Sequence, residues 1–446
     1  MTTPSEMRLS EVPGMPSPAM DLTYTTSIPI NGNTFTENQE VRIALQCPTN
    51  GFVDLKRAYL KYKLNNTGAG AAFLDPLIGG VAVIDNLRIT GGNGGLLEEV
   101  IHYNTMYAVM NANKTVDVVS SIHNVYEGAS TEPAIALKVN ANNSDAEMAG
   151  CVSITNGQSR VITHRPQSAF FNADRYMPLG YSQGLVNLSF TLAQNGTAFI
   201  LSEEKKDNAS SYSISEVELH LPILQPGPEF AAMFRSAMSS GVPIQIHSVG
   251  IQNTQQALPT SATGPQTLTF STRKRSVKSV MTAMRPSANL TVDERASVSG
   301  FVNADCSAYN YSVGGLRIPA SQIKVEVAIN GRDQGALLAN QQLALGHFSS
   351  DLRGICCVHN DAQTYLPEAA EHNTTCSKCV FALDLESYNA AFAGKNLSGA
   401  GLPLVLHTTV NGTNGAQANG ALLLDLYIIH DVVYVMDSNG IINANS

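Results

Sequence analysis

Short runs that alternate between apolar and polar residues recur along most of the chain, each bounded by Gly, Asn, Pro or Ser. A period of two places every second side chain on one face, which is typical of a half-buried β-strand. Few intervening stretches have the helical spacing that crossover helices of a parallel sheet would need. The pattern therefore predicts an all-β protein with antiparallel sheets. The clearest predicted strands are 41–45, 59–64, 185–192, 214–224, 323–329, 402–410 and 422–435.

One segment, 226–241, has the spacing of a helix instead. Its apolar residues recur at the positions that share one helical face, which are Phe230, Met233, Phe234, Ala237 and Met238. Pro228 suits a first helical turn, Glu229 suits the positive end of the helix dipole, and Gly241 can take the left-handed conformation that ends a helix. A second, less regular helix is expected over 97–110.

The order of motifs on the two sides of this helix is similar, which indicates an internal repeat. The matched pairs are 26–30 with 241–246, 39–43 with 266–270, 87–89 with 327–329, 185–192 with 380–385, and 213–224 with 422–435. The order of the motifs is the same in both halves while the lengths of the loops differ. This is expected because the fold requires the strands, whereas loops tolerate insertions. The repeat predicts two tandem eight-stranded antiparallel jelly rolls with a few short helices. The predicted divisions are an N-terminal arm 1–21, a first jelly roll 22–225, a linker helix 226–241, a second jelly roll 242–437 and a C-terminal tail 438–446.

Composition narrows the functional classes. Hydrophobic residues make up 43% of the 446 residues and charged residues only 14%, with a formal net charge of −9. A sequence-independent nucleic-acid binder would need clustered Lys and Arg, and the first twenty residues contain a single Arg. A surface of uncharged polar groups suits protein–protein contacts, because such groups cost less to desolvate than ions. Neither a membrane-spanning helix nor a signal peptide is expected.

Signatures of enzymes are not found in the sequence, so no catalytic residue and no cofactor is predicted. The glycine-rich run 91–95 lacks the spacing of a phosphate-binding loop and is expected to be a tight turn between a strand and a helix. The adjacent Glu98 and Glu99 cannot face one another across a substrate, as a glycosidase pair must. Asp384 and Glu386 are expected to be a solvated pair on one strand face.

Metal-ligand spacing occurs in one cysteine-rich region. Cys376 and Cys379 form a CxxC pair, and Cys356, Cys357 and His372 lie upstream. Zinc would need four such ligands in a tetrahedron, and a second paired motif is missing. Reduced, partly buried thiols are the prediction, with a zinc site as the alternative, and an elemental analysis distinguishes the two.

The chain has one basic cluster, formed by Arg273, Lys274, Arg275 and Lys278. Such a cluster is usually a solvated strand or loop face. The functional alternative is a contact with an acidic neighbouring subunit, an internal partner or a genome.

Taken together, a short Pro-rich N-terminal arm, two jelly-roll-like halves, a helical linker and no catalytic motif resemble a known family. They are similar to the double jelly-roll major capsid proteins of the tectivirus–adenovirus lineage, which includes polinton-like viruses, virophages and other eukaryotic DNA viruses. The runs SIPI at 27–30, DNLRI at 85–89 and YVMDSNG at 434–440 are closest to the smaller eukaryotic members.

The resemblance implies a homotrimer in which six similar rolls form a pseudo-hexagonal capsomer of an icosahedral shell. Neighbouring capsomers, penton proteins and minor or cement proteins would be its partners, and the N-terminal arm would contact an internal membrane or the genome. The protein would be part of the virion, assembled in the cytoplasm or nucleus of a host cell. The alternatives are a secreted or surface β-sandwich binding module, such as an adhesin or lectin, and a carbohydrate-active enzyme.

Overall fold

The computed structural model describes residues 20–111, 119–130, 151–199, 211–241, 243–259, 261–286, 298–301, 306–325, 335–345, 380–387, 391–399, 402–410 and 421–446. Its first twelve strands are β1 (Met20–Ser27), β2 (Thr34–Thr36), β3 (Glu40–Ala44), β4 (Phe52–Val53), β5 (Tyr59–Asn66), β6 (Ala72–Phe73), β7 (Ile84–Thr90), β8 (Leu96–Val100), β9 (Ser153–Ile154), β10 (Ser159–His164), β11 (Asn187–Leu192) and β12 (Tyr212–Pro226). The helices among them are α1 (Tyr103–Asn111), α2 (Asn124–Glu127) and α3 (Asn195–Ala198), with a π-helical turn at Val119–His123 and 3₁₀ turns at Leu55–Arg57, Gly80–Val83 and Leu179–Tyr181.

Beyond β12 come the helix α4 (Pro228–Ser239), the strands of the second half and one further helix. These elements are β13 (Ile244–Leu258), β14 (Gly264–Phe270), β15 (Val277–Pro286), β16 (Cys306–Val313), β17 (Leu316–Lys324), α5 (Gly335–Leu345), β18 (Val380–Asp384), β19 (Leu404–Val410), β20 (Leu422–Met436) and β21 (Ile442–Asn445).

The strands of each half form two four-stranded antiparallel sheets with the same order. In the first half the orders are β1-β12-β5-β10 and β3-β11-β7-β8, and in the second half they are β13-β20-β15-β18 and β14-β19-β16-β17. The short strands β2 and β4 add to β12, and β21 adds to β20. Each half is therefore an eight-stranded jelly roll, and the predicted double jelly-roll fold is confirmed.

The shared sheet order also shows which strands correspond. Three of the predicted matches join strands at equivalent places in the two rolls. They are 26–30 with 241–246, 39–43 with 266–270, and 213–224 with 422–435. Two matches are wrong. The match of 87–89 with 327–329 fails because β7 corresponds to β16; residues 327–329 lie outside the described residues. The match of 185–192 with 380–385 fails because β11 corresponds to β19, whereas 380–385 contains β18, the counterpart of β10. Every half-buried strand has the same alternation of apolar and polar residues. The pattern alone therefore cannot show which strand of one roll corresponds to which strand of the other when loop lengths differ.

The helix predicted over 226–241 is α4. Gly227 precedes it, Pro228 occupies its first turn, and Gly241 has a φ of +82° beyond its end. Phe234 and Met238 are buried against the first roll, where the ring of Phe234 lies 5.0 Å from that of Phe52. Ala237, expected on the same face, is exposed.

The second predicted helix, 97–110, is wrong over its first turn. Residues 97–100 belong to β8, and the helix α1 begins only at Tyr103. The glycine-rich run 91–95 is consequently the turn of a hairpin between β7 and β8, and not a connection from a strand to a helix. Pairing with β7 decides the conformation of 97–100, because it satisfies backbone groups that a helix would have bonded internally.

The two rolls lie side by side with their ends matched. At one end the backbone N–H of Ser299 donates to Asp75 (3.1 Å), and at the other end the N–H of Gln183 donates to the carbonyl of Gly440 (2.8 Å). The longest connections of each roll along the chain, from β8 to β10 and from β17 to β18, start and finish at the first of these ends. The opposite end, called the terminal end below, carries the start of β1, the helix α4 and the C-terminal residues.

Candidate functional site

The two rolls contact one another through buried apolar side chains. One hydrophobic cluster contains the core of the first roll together with second-roll residues such as Met281, Tyr427 and Ile429, whereas a separate cluster fills the interior of the second roll. The strands β20, β15 and β18 of this sheet are thus buried on both faces, whereas the edge strand β13 is partly exposed. This explains why β20 is apolar almost without interruption, since a strand covered on both faces has no solvent side.

A buried ion pair lies in this contact. The Nε of Arg285 on β15 is 2.6 Å from the Oδ2 of Asp425 on β20, and both side chains are almost fully buried. Arg285 also donates to the hydroxyl of Thr105 in the first roll (3.2 Å), and Gln255 donates to Asp425 (2.6 Å). The pair therefore links the two rolls in addition to joining adjacent strands.

The basic cluster lies at the terminal end and is divided by the structure. Arg273 and Arg275 are exposed, and Lys274 is partly buried and donates to the hydroxyl of Ser446 (2.7 Å). These three residues remain available for the predicted contact with an acidic partner.

Lys278 is different, because it is buried and bonded within the chain. Its ammonium group contacts the carboxylate of Glu386 and lies 3.7 Å from that of Asp431. Asp431 also accepts from Ser276 (2.5 Å) and His247 (2.7 Å). Burial alone would raise the pKa of Asp431, but the hydrogen bonds and the lysine charge outweigh it and leave the pKa below its usual value. Glu386, expected on a solvated face, is instead half of a buried ion pair.

A cleft of about 820 Å³ opens beside this network at the terminal end. It is lined by Gln245, Arg275, Ser276, Phe392, Asp431, Val433, Val435, Ala444, Asn445 and Ser446. The C-terminal strand β21 forms one wall, so part of the predicted tail 438–446 is an ordered element of the second roll.

A second buried network surrounds Glu127 on α2 in the first roll. Its carboxylate accepts from Nδ1 of His123 (2.7 Å), Nδ1 of His164 (2.8 Å) and the hydroxyl of Tyr107 (2.8 Å). Burial by itself would raise the pKa of Glu127, but the hydrogen bonds from His123 and His164 and their charges lower it to about 2.

The far side of His164 contacts a tyrosine. Its Nε2 lies 2.6 Å from the hydroxyl of Tyr103, which accepts the backbone N–H of Gln167 (2.7 Å). The imidazole therefore bridges Tyr103 and the carboxylate of Glu127. The tyrosine–histidine–carboxylate order resembles a catalytic relay, but His164 is 0% and Glu127 4% exposed at the side chain, so no substrate reaches it. The network ties α1, α2 and β10 together.

Sequence reasoning did not find this network. The spacing of His123 and Glu127, one helical turn apart, is a local signal, but His164 is brought in by the pairing of β10 with β5. No spacing rule connects residues that meet through strand pairing.

The remaining candidates are Glu98 and the cysteine-rich region. Glu98 accepts the backbone N–H groups of Ala169 and Phe170 (2.7 and 2.9 Å), which gives it a structural role. The metal candidates Cys356, Cys357, His372, Cys376 and Cys379 lie outside the described residues. Across the described ranges, no group of three or more His, Cys, Asp or Glu side chains is placed to hold a metal ion.

Three cysteines of the described ranges, Cys47, Cys151 and Cys306, are not in disulfides. Burial raises the pKa of Cys47 to about 12, so that thiol stays protonated and unreactive. In the same ranges no helix is both long and apolar enough to cross a membrane.

Comparison with known proteins places the fold. No protein-family model and no curated protein matches the sequence. Among solved structures, the chain is similar to the PBCV-1 virus capsid, with 11% identity, 96% of this chain and 97% of the other covered, and a TM-score of 0.56. It is also similar to the Faustovirus major capsid protein (11%, 96% and 92%, 0.53) and to a chain of the Sputnik virophage (12%, 100% and 92%, 0.54). At such identities the likeness establishes the double jelly-roll fold over nearly the whole chain.

Proposed function

We propose that the protein is a major capsid protein whose trimers form the pseudo-hexagonal capsomers of an icosahedral viral shell. The observation that carries this proposal is the union of two like rolls, side by side and with matched ends, through one continuous apolar core. Such a chain is a rigid pair of similar wedges, and three copies supply six wedges around an axis. The solved structures of similar fold are capsid chains, which supports the same conclusion.

The two ends of the molecule have different roles in this proposal. The end with the long connections faces outward, where loops are free to vary and to meet a host receptor. The terminal end faces inward, where the first roll begins at Met20 and where Arg273 and Arg275 are exposed. There the arm contacts an internal membrane or the genome, and the sides of each capsomer contact neighbouring capsomers, penton and minor or cement proteins. No catalysis is expected.

Light scattering combined with size-exclusion chromatography tests the trimer. The expected particle has three times the chain mass of 47.5 kDa, or forms larger shells. A secreted binding module of the adhesin or lectin type would give a stable monomer, which would reject the capsid proposal.

The basic cluster gives a separate test. We expect replacement of Arg273, Lys274 and Arg275 by Ser to leave folding intact and to reduce assembly or packaging, because three positive charges are lost from the terminal end. Lys278 is kept, since its removal would leave Glu386 and Asp431 buried without their cation. Lys56→Ser, an exposed lysine outside the cluster, is the control. Unchanged assembly and packaging of the triple variant would leave the cluster as a solvated loop.

A further inference from the structure

The two rolls use equivalent sheets in different surroundings. In the second roll, the outer face of β13-β20-β15-β18 is buried against the first roll. In the first roll, the outer face of the equivalent sheet β1-β12-β5-β10 is open to solvent. Leu22 and Tyr24 on that face are 49% and 70% exposed. A sheet face that is covered in one roll is therefore open in the other.

Within one chain, the connection between β10 and β11 of the first roll covers the outer sheet face of the second roll. Its Phe170 ring packs edge-on against Tyr434 of β20, with ring centroids 5.6 Å apart and an interplanar angle of 89°. The carbonyl of Ala169 accepts the hydroxyl of Ser248 on β13 (2.6 Å). An aromatic anchor from one roll thus sits on the outer sheet face of the next.

The second roll has an equivalent connection between β18 and β19. Reciprocal backbone hydrogen bonds fix each connection to its own roll, between Val53 and Met177 in the first roll and between Val277 and Lys395 in the second. The second connection also presents an aromatic residue, Phe392, and this ring is 55% exposed. Within its own chain the Phe392 ring packs against His247 of β13, with ring centroids 5.3 Å apart, and its remaining surface lines the cleft at the terminal end and is open.

Phe392 is held in this outward position. Its φ is +59°, a left-handed conformation that favours glycine and that a phenylalanine adopts only when its surroundings impose it. The backbone N–H of Phe392 donates to the buried carboxylate of Asp431 (3.0 Å), which Ser276 and His247 also fix. The strained backbone is therefore held by a buried carboxylate, while 55% of the residue stays exposed.

Strand register identifies the surface that corresponds to Tyr434. The pairs Ile244–Met436 and Met20–Pro226 begin the equivalent strand pairs of the two rolls. Counting inward by two residues on each strand, Tyr434 corresponds to Leu224, and its cross-strand neighbour Ile246 corresponds to Leu22. Leu22, Tyr24 and the partly buried Leu224 form what we call the first-roll patch.

We propose that Phe392 of one copy packs on the first-roll patch, formed by Leu22, Tyr24 and Leu224, of a second copy of this chain. The contact would be made by the connection equivalent to the one that carries Phe170, with a different aromatic residue of that connection as the anchor, and it rests on the proposed trimer. The two sides of the contact differ, so the interface is heterologous, and three such contacts close a ring.

The character of the surrounding face agrees with an interface between separately folded copies. Beside the patch it carries the ion pairs Lys61–Glu218 (3.0 Å) and Lys63–Glu216 (3.3 Å). Interfaces between partners that are first soluble alone combine apolar anchors with a polar surround, whereas the contact between rolls forms during folding and is more apolar.

Phe392→Gly separates assembly from folding. Glycine accepts the positive φ, so the thermal midpoint of the dilute monomer should stay the same or rise, while the concentration for half-assembly should increase at least tenfold. Leu22→Ser/Tyr24→Ser should weaken assembly similarly. Leu185→Ser, a half-exposed leucine beside the other sheet, is the control and should assemble normally. Normal assembly of Phe392→Gly, or a lowered midpoint that accounts for its loss, would overturn the inference.

Fluorescence gives a direct readout, because the chain has no Trp. A Tyr24→Trp reporter should shift its emission to shorter wavelength when trimers form, and should not shift when Phe392→Gly is also present. The emission of Leu185→Trp should stay constant. Trimers that form without a shift from Tyr24→Trp would reject this contact and leave the proposed function standing, whereas a wild-type chain that never trimerises would reject both.

Discussion

At the scale of single residues, the least replaceable groups are buried charges whose partners come from different elements. Arg285 and Asp425 join β15 to β20, and Arg285 also reaches Thr105 of the other roll. Glu127 collects hydrogen bonds from two histidines and a tyrosine. Removal of one partner leaves the other charge buried and uncompensated, which costs more than the pair itself contributes.

We expect Asp425→Ala to lower the free energy of unfolding by about 3–5 kcal/mol, because Arg285 remains buried without its carboxylate. Arg285→Met/Asp425→Leu removes both charges and keeps the volume, so it should lose much less. Thermal or denaturant unfolding of the two variants measures the difference. A single variant no less stable than the double variant would contradict the role assigned to the pair.

The low pKa of Glu127 predicts a pH dependence. The folded-state pKa is about 2, compared with 4.5 for a free carboxyl, so the group stabilises the fold at pH values above 4.5. That contribution, about 3 kcal/mol, is lost as the pH falls from 4.5 towards 2. The difference in free energy of unfolding between the wild type and Glu127→Gln should therefore shrink on acidification. Glu99→Gln removes an exposed carboxylate and serves as the control, and a difference that does not change with pH would refute the assignment.

At the scale of elements, the sequence predicts strands better than it predicts their neighbours. Strands β3, β5, β12, β19 and β20 and the helix α4 all follow from local apolar spacing. The predicted helical first turn of 97–110 is wrong, because these residues form β8 and a non-local interaction, the pairing of β8 with β7, decides their conformation. The same limit explains the two wrong repeat matches, and also why Phe392, which no motif marks, is found only from the structure.

The C-terminal strand β21 is an element whose contribution can be measured. Ile442 on this strand is buried in the cluster that joins the rolls, and the strand pairs with the end of β20. We expect Ile442→Ala to destabilise the protein by about 2–5 kcal/mol through the cavity that it leaves. Asn443→Ala, at an exposed neighbouring position, should change the stability by less than about 0.5 kcal/mol. Equal effects of the two variants would show that β21 is not held by the core.

At the scale of the whole molecule, one chain contains two equivalent rolls and one complete contact between them. The chain also presents both halves of a second such contact, with Phe392 on one roll and the first-roll patch on the other. Composition agrees with this arrangement, because a chain with only 14% charged residues exposes few ions that association would have to desolvate. The proposed closed ring of three copies would cover every such surface.

Electron microscopy of the purified full-length chain tests the ring most directly. Class averages viewed along the particle axis should show three-fold particles with six similar lobes, two from each copy, at concentrations where light scattering gives three chain masses. Particles that show only two lobes at every concentration, or closed rings with a number of copies other than three, would contradict a trimeric capsomer.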